Sequence, residues 1–349
     1  MAPVRFIESK FIDWLGIQDL LAKSESQNQW TNFGPVSRAL ESAVERMLDL
    51  PESLAVVATC SGTAALFALV GVLAAHANRP QRWLASAFAF ASTRIGPLAD
   101  AVRLIDCDER GLIDLEAAAD VPADQWDGLL VTNVFGRCSD LDAFTGFCDQ
   151  RGKTLIVDNA QALIGPDRSS KHSPNEIISF HHTKPWGFGE GGCAILSRED
   201  VDLCRRLLNF GYGLPDRLSA FAANGKVSDL AAAAILSRLG SFVALAPRYR
   251  EQWQRLADIA EHAGYRLFSR LPNNGVLGFV PLQAPIPVEA ASLHRSRLPL
   301  AKYYPPLADL PRARQIYEHM VCLAAHPGMG EFEDDDIYSE LRALIEFAD

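Results

Sequence analysis

The chain has 349 residues, 48% of them apolar, enough to bury a large core and to build one dominant and one subordinate domain. Its 43 acidic and 33 basic residues leave a formal net charge of -10, a field that draws in neither nucleic acid nor an anionic membrane. The 7 cysteines are odd in number, with no Cys-x-x-Cys pair and no Cys/His cluster at zinc spacing, so disulfides and a structural metal are not expected and a reducing cytoplasm fits.

At the N-terminus, Arg5, Glu8 and Lys10 interrupt the apolar core that a signal peptide needs, and apolar stretches such as Thr63–His76 are too short to span a bilayer. Ile12, Leu15, Ile17, Leu20 and Leu21 are spaced for one helical face. After a break at Thr31–Pro35, Ser37 is expected to cap a second helix carrying Leu40, Val44, Met47 and Leu48. The Asn32-Phe33-Gly34-Pro35 turn reads either as a helix connector or as a wall of a substrate pocket.

Leu54–Cys60 then reads as a buried strand, followed by Ser61-Gly62-Thr63 and a small-residue helix. Such a helix start offers N–H groups, hydroxyls and the positive end of a dipole; it is an ordinary cap or a phosphate site. Arg82–Thr93 suggests a strand running into a helix, with Phe88 and Phe90 set among alanines, a pattern that either fills a core or leaves a ring face open for stacking on a flat ligand. Ala101–Asp106, Gly128–Val134 and Lys153–Asp158 repeat the pattern of short strand, turn and helix, which predicts an α/β protein with a mostly parallel sheet. Asp158 and Gln161 follow the carboxyl end of such a strand, where open sheets keep their ligands.

The densest motif is Ser179–Gly192, in which Lys184 stands between a strand, Glu176–Phe180, and a glycine-rich loop. Gly187-Phe-Gly-Glu-Gly-Gly192 satisfies G-x-G-x-x-G, yet Cys193–Ser197 after it reads as a strand and not as the helix of a dinucleotide site. The glycines are therefore expected in a hairpin beside Lys184, whose neighbours Thr183, Pro185 and Trp186 would desolvate the amine and lower its pKa. His181 and His182 are adjacent, point in different directions and do not make a metal pair. Beyond Arg198 the chain is largely helical, broken near Gly211–Asp216 and Asn224-Gly225. A smaller unit follows, with strands at Tyr265–Phe268 and Gly275–Val280 and a helix over Asp335–Phe347. Residues 1–245 are expected to form the large domain and 246–349 the small one.

A phosphate-type turn, a stacking aromatic, a strand-end acid and hydroxyl, and a part-buried lysine are together the components of a pyridoxal 5'-phosphate site. With Asn32-Phe-Gly-Pro35, Asp158-x-Ala-Gln161, Ser179-Phe-x-x-x-Lys184, Gly189-Glu-Gly-Gly192 and Lys302-Tyr-Tyr-Pro-Pro-Leu307, nearly all of the chain resembles the DegT/DnrJ/EryC1/StrS family of nucleotide-sugar aminotransferases. The resemblance implies a fold type I α/β architecture with a smaller C-terminal α/β domain. It implies Lys184 as the Schiff-base lysine, Asp158 on the pyridinium nitrogen, Gln161 near the phenolic oxygen and Phe90 stacked on the ring. Gly62, Thr63 and Ser179 would hold the phosphate, and Asn224 would reach that of the neighbouring subunit in a homodimer. Phe33, Lys302, Tyr303 and Tyr304 are the expected substrate contacts, with Arg295 and Arg297 as further cations for a diphosphate.

The expected activity is transfer of an amino group from an amino acid such as glutamate to a nucleotide-linked keto-sugar. Elimination or dehydration with the same cofactor, and a non-catalytic sensing role, are the alternatives. Relatives of the dehydratase type replace the lysine with histidine, whereas Lys184 is present here.

Overall fold

The structure, a computed structural model, describes residues 4–137, 141–165 and 175–346. Seven short apolar runs pair into one sheet: β1 (Leu54–Thr59), β2 (Trp83–Ser86), β3 (Val102–Ile105), β4 (Gly128–Thr132), β5 (Thr154–Asp158), β6 (Glu176–Ser179) and β7 (Gly192–Ser197). Their order is β1-β7-β6-β5-β4-β2-β3, and neighbours are parallel except around β7, which runs antiparallel to both β1 and β6. Cys193–Ser197 is thus the return strand of a hairpin, as its apolar run after the glycines predicts.

Helices cover both faces. The chain forms α1 (Trp14–Gln27), α2 (Pro35–Met47), α3 (Gly62–His76), α4 (Leu115–Ala119), α5 (Asp142–Asp149), α6 (Val201–Leu208) and the 34-residue α7 (Asp229–His262). Val56 and Ala58 of β1 and Ile195 of β7 pack toward α2 and α7, while Val57, Ala194 and Leu196 pack toward α3 and α6. That alternation is the period of two along a strand, here with both faces buried.

The remaining residues form α8 (Ala290–Leu293), α9 (Pro311–His319), α10 (Asp334–Glu346) and an antiparallel sheet of β8 (Arg266–Leu267), β9 (Phe279–Gln283), β10 (Leu300–Ala301) and β11 (Met320–Ala324), ordered β10-β11-β9-β8. Val280, Leu282, Val321 and Leu323 share one core with Phe88 and Phe135 from loops after β2 and β4, so this unit packs on the carboxyl end of the large sheet. Helix α7 joins the two cores: Ala246 and Tyr249 belong to the large one, Trp253 and Leu256 to the small one. By length and composition α7 could cross a bilayer. In the fold it is a packing helix against α1, α2 and β9, with Arg238 buried in an ion network.

Several local expectations are corrected. Ser37 does not cap α2; the helix begins at Pro35, and the side chain of Asp229, at the start of α7, accepts from the N–H groups of Val36 (3.1 Å) and Ser37 (2.9 Å). A carboxylate distant in sequence has taken the capping role. After β2 the chain makes two short 3-10 turns, at Ala91–Arg94 and Gly96–Leu98, rather than a helix. The strand expected over Gly275–Val280 runs instead from Phe279 to Gln283, because pairing with Met320–Ala324 sets its register. The end of the last helix at Phe347 and the cysteine at 138 lie outside the described residues; the six described cysteines form no disulfide.

Candidate active site

The carboxyl ends of β1, β4, β5 and β6 open into a cavity of about 360 Å³, closed from the other side by Phe279, Tyr303 and Tyr304 of the small unit and by Phe6 and Ile7 of the N-terminal segment.

After β1, the Ser61 hydroxyl accepts from the Ala64 N–H (3.1 Å) and caps α3. As the first residues of that helix, Gly62 and Thr63 have no intrahelical acceptor for their N–H groups, and both line the cavity. The turn is both a cap and an anion site. Strand β7 starts so near it that a Cβ on Gly192 would stand 2.4 Å from the Gly62 nitrogen. Ser179, opposite Gly192 in the β6–β7 ladder, completes this corner.

Strands β4 and β5 end in register at Thr132 and Asp158. Asp158 is 3% exposed and one carboxylate oxygen accepts from the Ala160 N–H at 2.9 Å. Burial raises its pKa, and that N–H and the Lys184 amine oppose the rise. The Thr132 hydroxyl is buried, lines the cavity and has no hydrogen-bond partner. Behind the strands, the Asn133 amide donates to Asn159 (2.7 Å) and Asn159 donates to Glu176 (2.8 Å), fixing the loops that follow β4 and β5.

Lys184 sits in a turn after β6, its N–H donating to the His181 carbonyl (2.8 Å) and its carbonyl accepting from Gly187 (2.9 Å). Gly187 is required there, since a Cβ would lie 2.3 Å from the Phe180 and His181 carbonyl oxygens. Burial brings the Lys184 amine down to about 8, with Asp158 as the opposing influence. Trp186 turns away from the cavity: its indole packs on Phe242 and donates to the Ser179 carbonyl (2.8 Å), so it anchors the turn from the core side. His181 lines the cavity and pairs with Glu190 (3.3 Å), whereas His182 packs edge-on against Phe188. Gln161 donates to the Tyr304 hydroxyl (3.0 Å), and Phe90, 54% exposed, meets the Tyr304 ring edge-on.

Lys184, Asp158, Gly62, Thr63, Phe90, Gln161, Ser179, Tyr303 and Tyr304 therefore converge on one cavity. Five other expected residues do not line it. Phe33 packs beside the α3 and α6 core under Arg205. Asn224 is exposed and bridged to Asn209, with the Gly225 carbonyl accepting from the Cys60 N–H (2.8 Å), outside this cavity. Lys302 donates to the carbonyls of Val288, Glu318 and Met320, and Arg297 pairs with Glu340 and Asp336. Arg295, bonded to Ser292, is likewise off the cavity wall. Thr132, His181, Glu190, Phe6 and Ile7 were not foreseen as lining residues. Thr132 alone had a signal, as the polar end of an apolar strand like Asp158.

A seven-stranded mixed sheet of this order, with an acid ending one strand and a lysine in the turn after the next, has the fold type I architecture of pyridoxal-phosphate-dependent aminotransferases. The chain belongs to the DegT/DnrJ/EryC1/StrS aminotransferase family, whose model matches residues 16–275. It is 27% identical over 249 residues to Protein Rv3402c of Mycobacterium tuberculosis, covering 68% of this chain and 60% of that protein. It is also 27% identical over 213 residues to the dTDP-4-amino-4,6-dideoxy-D-glucose transaminase of Shigella dysenteriae, covering 59% of this chain and 56% of the relative. The chain thus spans about 60% of the length of the curated relatives it matches. Among solved structures, Helicobacter pylori PseC, an aminotransferase involved in the biosynthesis of pseudoaminic acid, superposes with a TM-score of 0.80 at 16% identity, covering 99% of both chains.

Proposed function

We propose that the protein is a pyridoxal-phosphate-dependent aminotransferase that moves an amino group from an amino acid donor, glutamate in the first instance, to a nucleotide-linked keto-sugar. The observation that carries this reading is one cavity holding a lysine amine brought down to about 8, a buried strand-end carboxylate and an anion-binding helix start. The Shigella dysenteriae relative, named as a transaminase of a dTDP-linked amino sugar, supports the substrate class.

The residues fit the cofactor. The partnerless Thr132 hydroxyl is a buried group with nothing to bond inside the chain, as a ligand wall requires. Gly62 and Thr63 N–H groups with the Ser179 hydroxyl suit a dianionic phosphate. Asp158 would hold a proton on the pyridine nitrogen, Gln161 would face the phenolic oxygen and Phe90 would cover the ring. When bound, the cofactor supplies an electron sink for the carbanion formed at the amino-bearing carbon.

The chain's own residues do the rest. Lys184, with its lowered affinity for protons, would hold the cofactor covalently and would take up or give a proton at its Nζ. Tyr303, Tyr304, Phe279 and Phe6 close an apolar lid that excludes water from that transfer. A homodimer in the cytoplasm, with Asn224 reaching across to the neighbouring cofactor phosphate, completes the reading.

Adding pyridoxal phosphate should give the wild-type chain the near-visible band of a lysine-bound cofactor, absent in Lys184→Ala. Glutamate should then bleach that band with formation of pyridoxamine phosphate and 2-oxoglutarate. A band that persists in Lys184→Ala overturns the assignment, and a wild-type band unchanged by any amino acid overturns the transaminase reading in favour of elimination.

A further inference from the structure

The N-terminal segment, whose Arg5, Glu8 and Lys10 have no part in the site residues above, passes directly beneath the Lys184 turn. The Lys10 ammonium donates to the carbonyls of His182 (2.6 Å), Lys184 (2.5 Å) and Gly187 (2.6 Å). An ammonium has three N–H donors, so each is spent on this turn. From the opposite side Arg238, with a side chain 2% exposed, donates to the Pro185 carbonyl (2.8 Å) and to Glu8 (2.8 Å). Tyr249 donates to the same Glu8 oxygen (2.6 Å). Four carbonyls of residues 182–187 are therefore held by two cations, one from the N-terminal segment and one from α7, with Glu8 between them.

The same segment reaches the small unit. The His326 ring bonds the Arg5 carbonyl (2.8 Å), and Phe6 packs against the rings of Phe279 and Tyr303 at 5.8 and 6.0 Å. Lys10 itself is part-buried and does not line the cavity, so its contacts act on the turn and not on a ligand.

We infer that Lys10 is a positioning residue: by tying three carbonyls around Lys184 it fixes where the Lys184 amine points. The inference rests on Lys184 being the reactive amine. The charged and titratable groups facing Lys10 are Glu8 on its own segment, Arg238 on α7, and His182 and Lys184 on the turn, with Tyr249 behind Glu8 and His181 beside His182. Burial, then Arg238, bring Lys10 down to about 7, with Glu8 opposing and Lys184 adding to the fall. The grip on the turn therefore loosens as pH rises through neutrality, when one of the three donors is lost.

The test compares wild type, Lys10→Met and Lys10→Arg, each loaded with pyridoxal phosphate. Misplacing a reacting group by about 1 Å costs on the order of 10²-fold in rate, so Lys10→Met is expected to lose at least about tenfold in kcat with the KM for glutamate within about twofold. Lys10→Arg, which keeps a cation and its donors on the turn, should restore kcat to within about threefold of wild type, and its kcat should lack the inflection near pH 7 that wild type shows. A folded Lys10→Met with wild-type kcat overturns the inference, as does a Lys10→Arg no faster than Lys10→Met. Should Lys10→Met not fold, the rate of cofactor attachment from pH 6 to 9 decides: an inflection near pH 7 in wild type that Lys10→Arg lacks supports it, and identical profiles overturn it. A wild type that gains no band at all contradicts the role of Lys184 instead, and so separates the two failures.

Discussion

Lys302 is the sharpest test of what the structure changed, because its sequence context suggested a cation for the substrate diphosphate. Its amine is occupied by three backbone carbonyls, Val288 at 2.7 Å, Glu318 at 2.8 Å and Met320 at 3.1 Å, and stands 4.9 Å from the centre of the Tyr317 ring. These acceptors come from the loop before α8, the end of α9 and the start of β11, so one side chain ties three segments of the small unit. Lys302→Met keeps the apolar stem and removes the donor. Leaving each carbonyl unmatched costs roughly 1 kcal/mol, about 3 kcal/mol in all. For a chain of this size that corresponds to a fall in Tm on the order of 5–10 °C.

The assay is thermal unfolding beside KM for a nucleotide-linked sugar, which should stay within about twofold of wild type. Titration gives a second readout. Burial brings the Lys302 amine down to about 8, while the unfolded chain keeps the ordinary value of about 10.4. Between these values the unfolded state binds more protons, so stability rises with pH, and Lys302→Met should flatten that rise. An unchanged Tm together with a large increase in KM would refute the reasoning and return Lys302 to the substrate.

Asp229→Ala removes the acceptor of the Ser24 hydroxyl (2.6 Å) and of two α2 N–H groups; a loss of about 3–4 kcal/mol is expected by denaturant unfolding, partly recovered in Asp229→Asn. Thr132→Val replaces a buried hydroxyl without a partner by an isostere, so the cofactor-free protein should be as stable or about 1 kcal/mol more stable, while cofactor dissociates about fivefold faster. A clear loss of stability would show that the hydroxyl is satisfied within the chain. Without cofactor, Lys10 at about 7 and Lys184 at about 8 both lie below the unfolded lysine value, so wild-type stability should climb from pH 7 toward 10; a flat profile by thermal shift would contradict both amines.

Much of this protein is decided locally and was legible in the chain alone. Short apolar runs closed by Ser, Thr or Asp mark strands buried on both faces. The interval from Ser179 to Lys184 sets a strand end and a turn whatever surrounds them, and Gly187 and Gly192 stand where no side chain fits. Strand ends fall on one edge of a parallel sheet, so Gly62, Thr63, Asp158, Gln161 and Ser179 meet without further instruction. What the chain alone left open depends on partners far apart in sequence. Strand β11, with its register on Phe279–Gln283, exists only through pairing, and Asp229 caps a helix nearly two hundred residues earlier. Lys302 resembles a free cation until the three carbonyls around it are assembled. Lys10 carries no local signal at all, since a lysine near a chain start gains its meaning from the turn that tertiary packing lays over it.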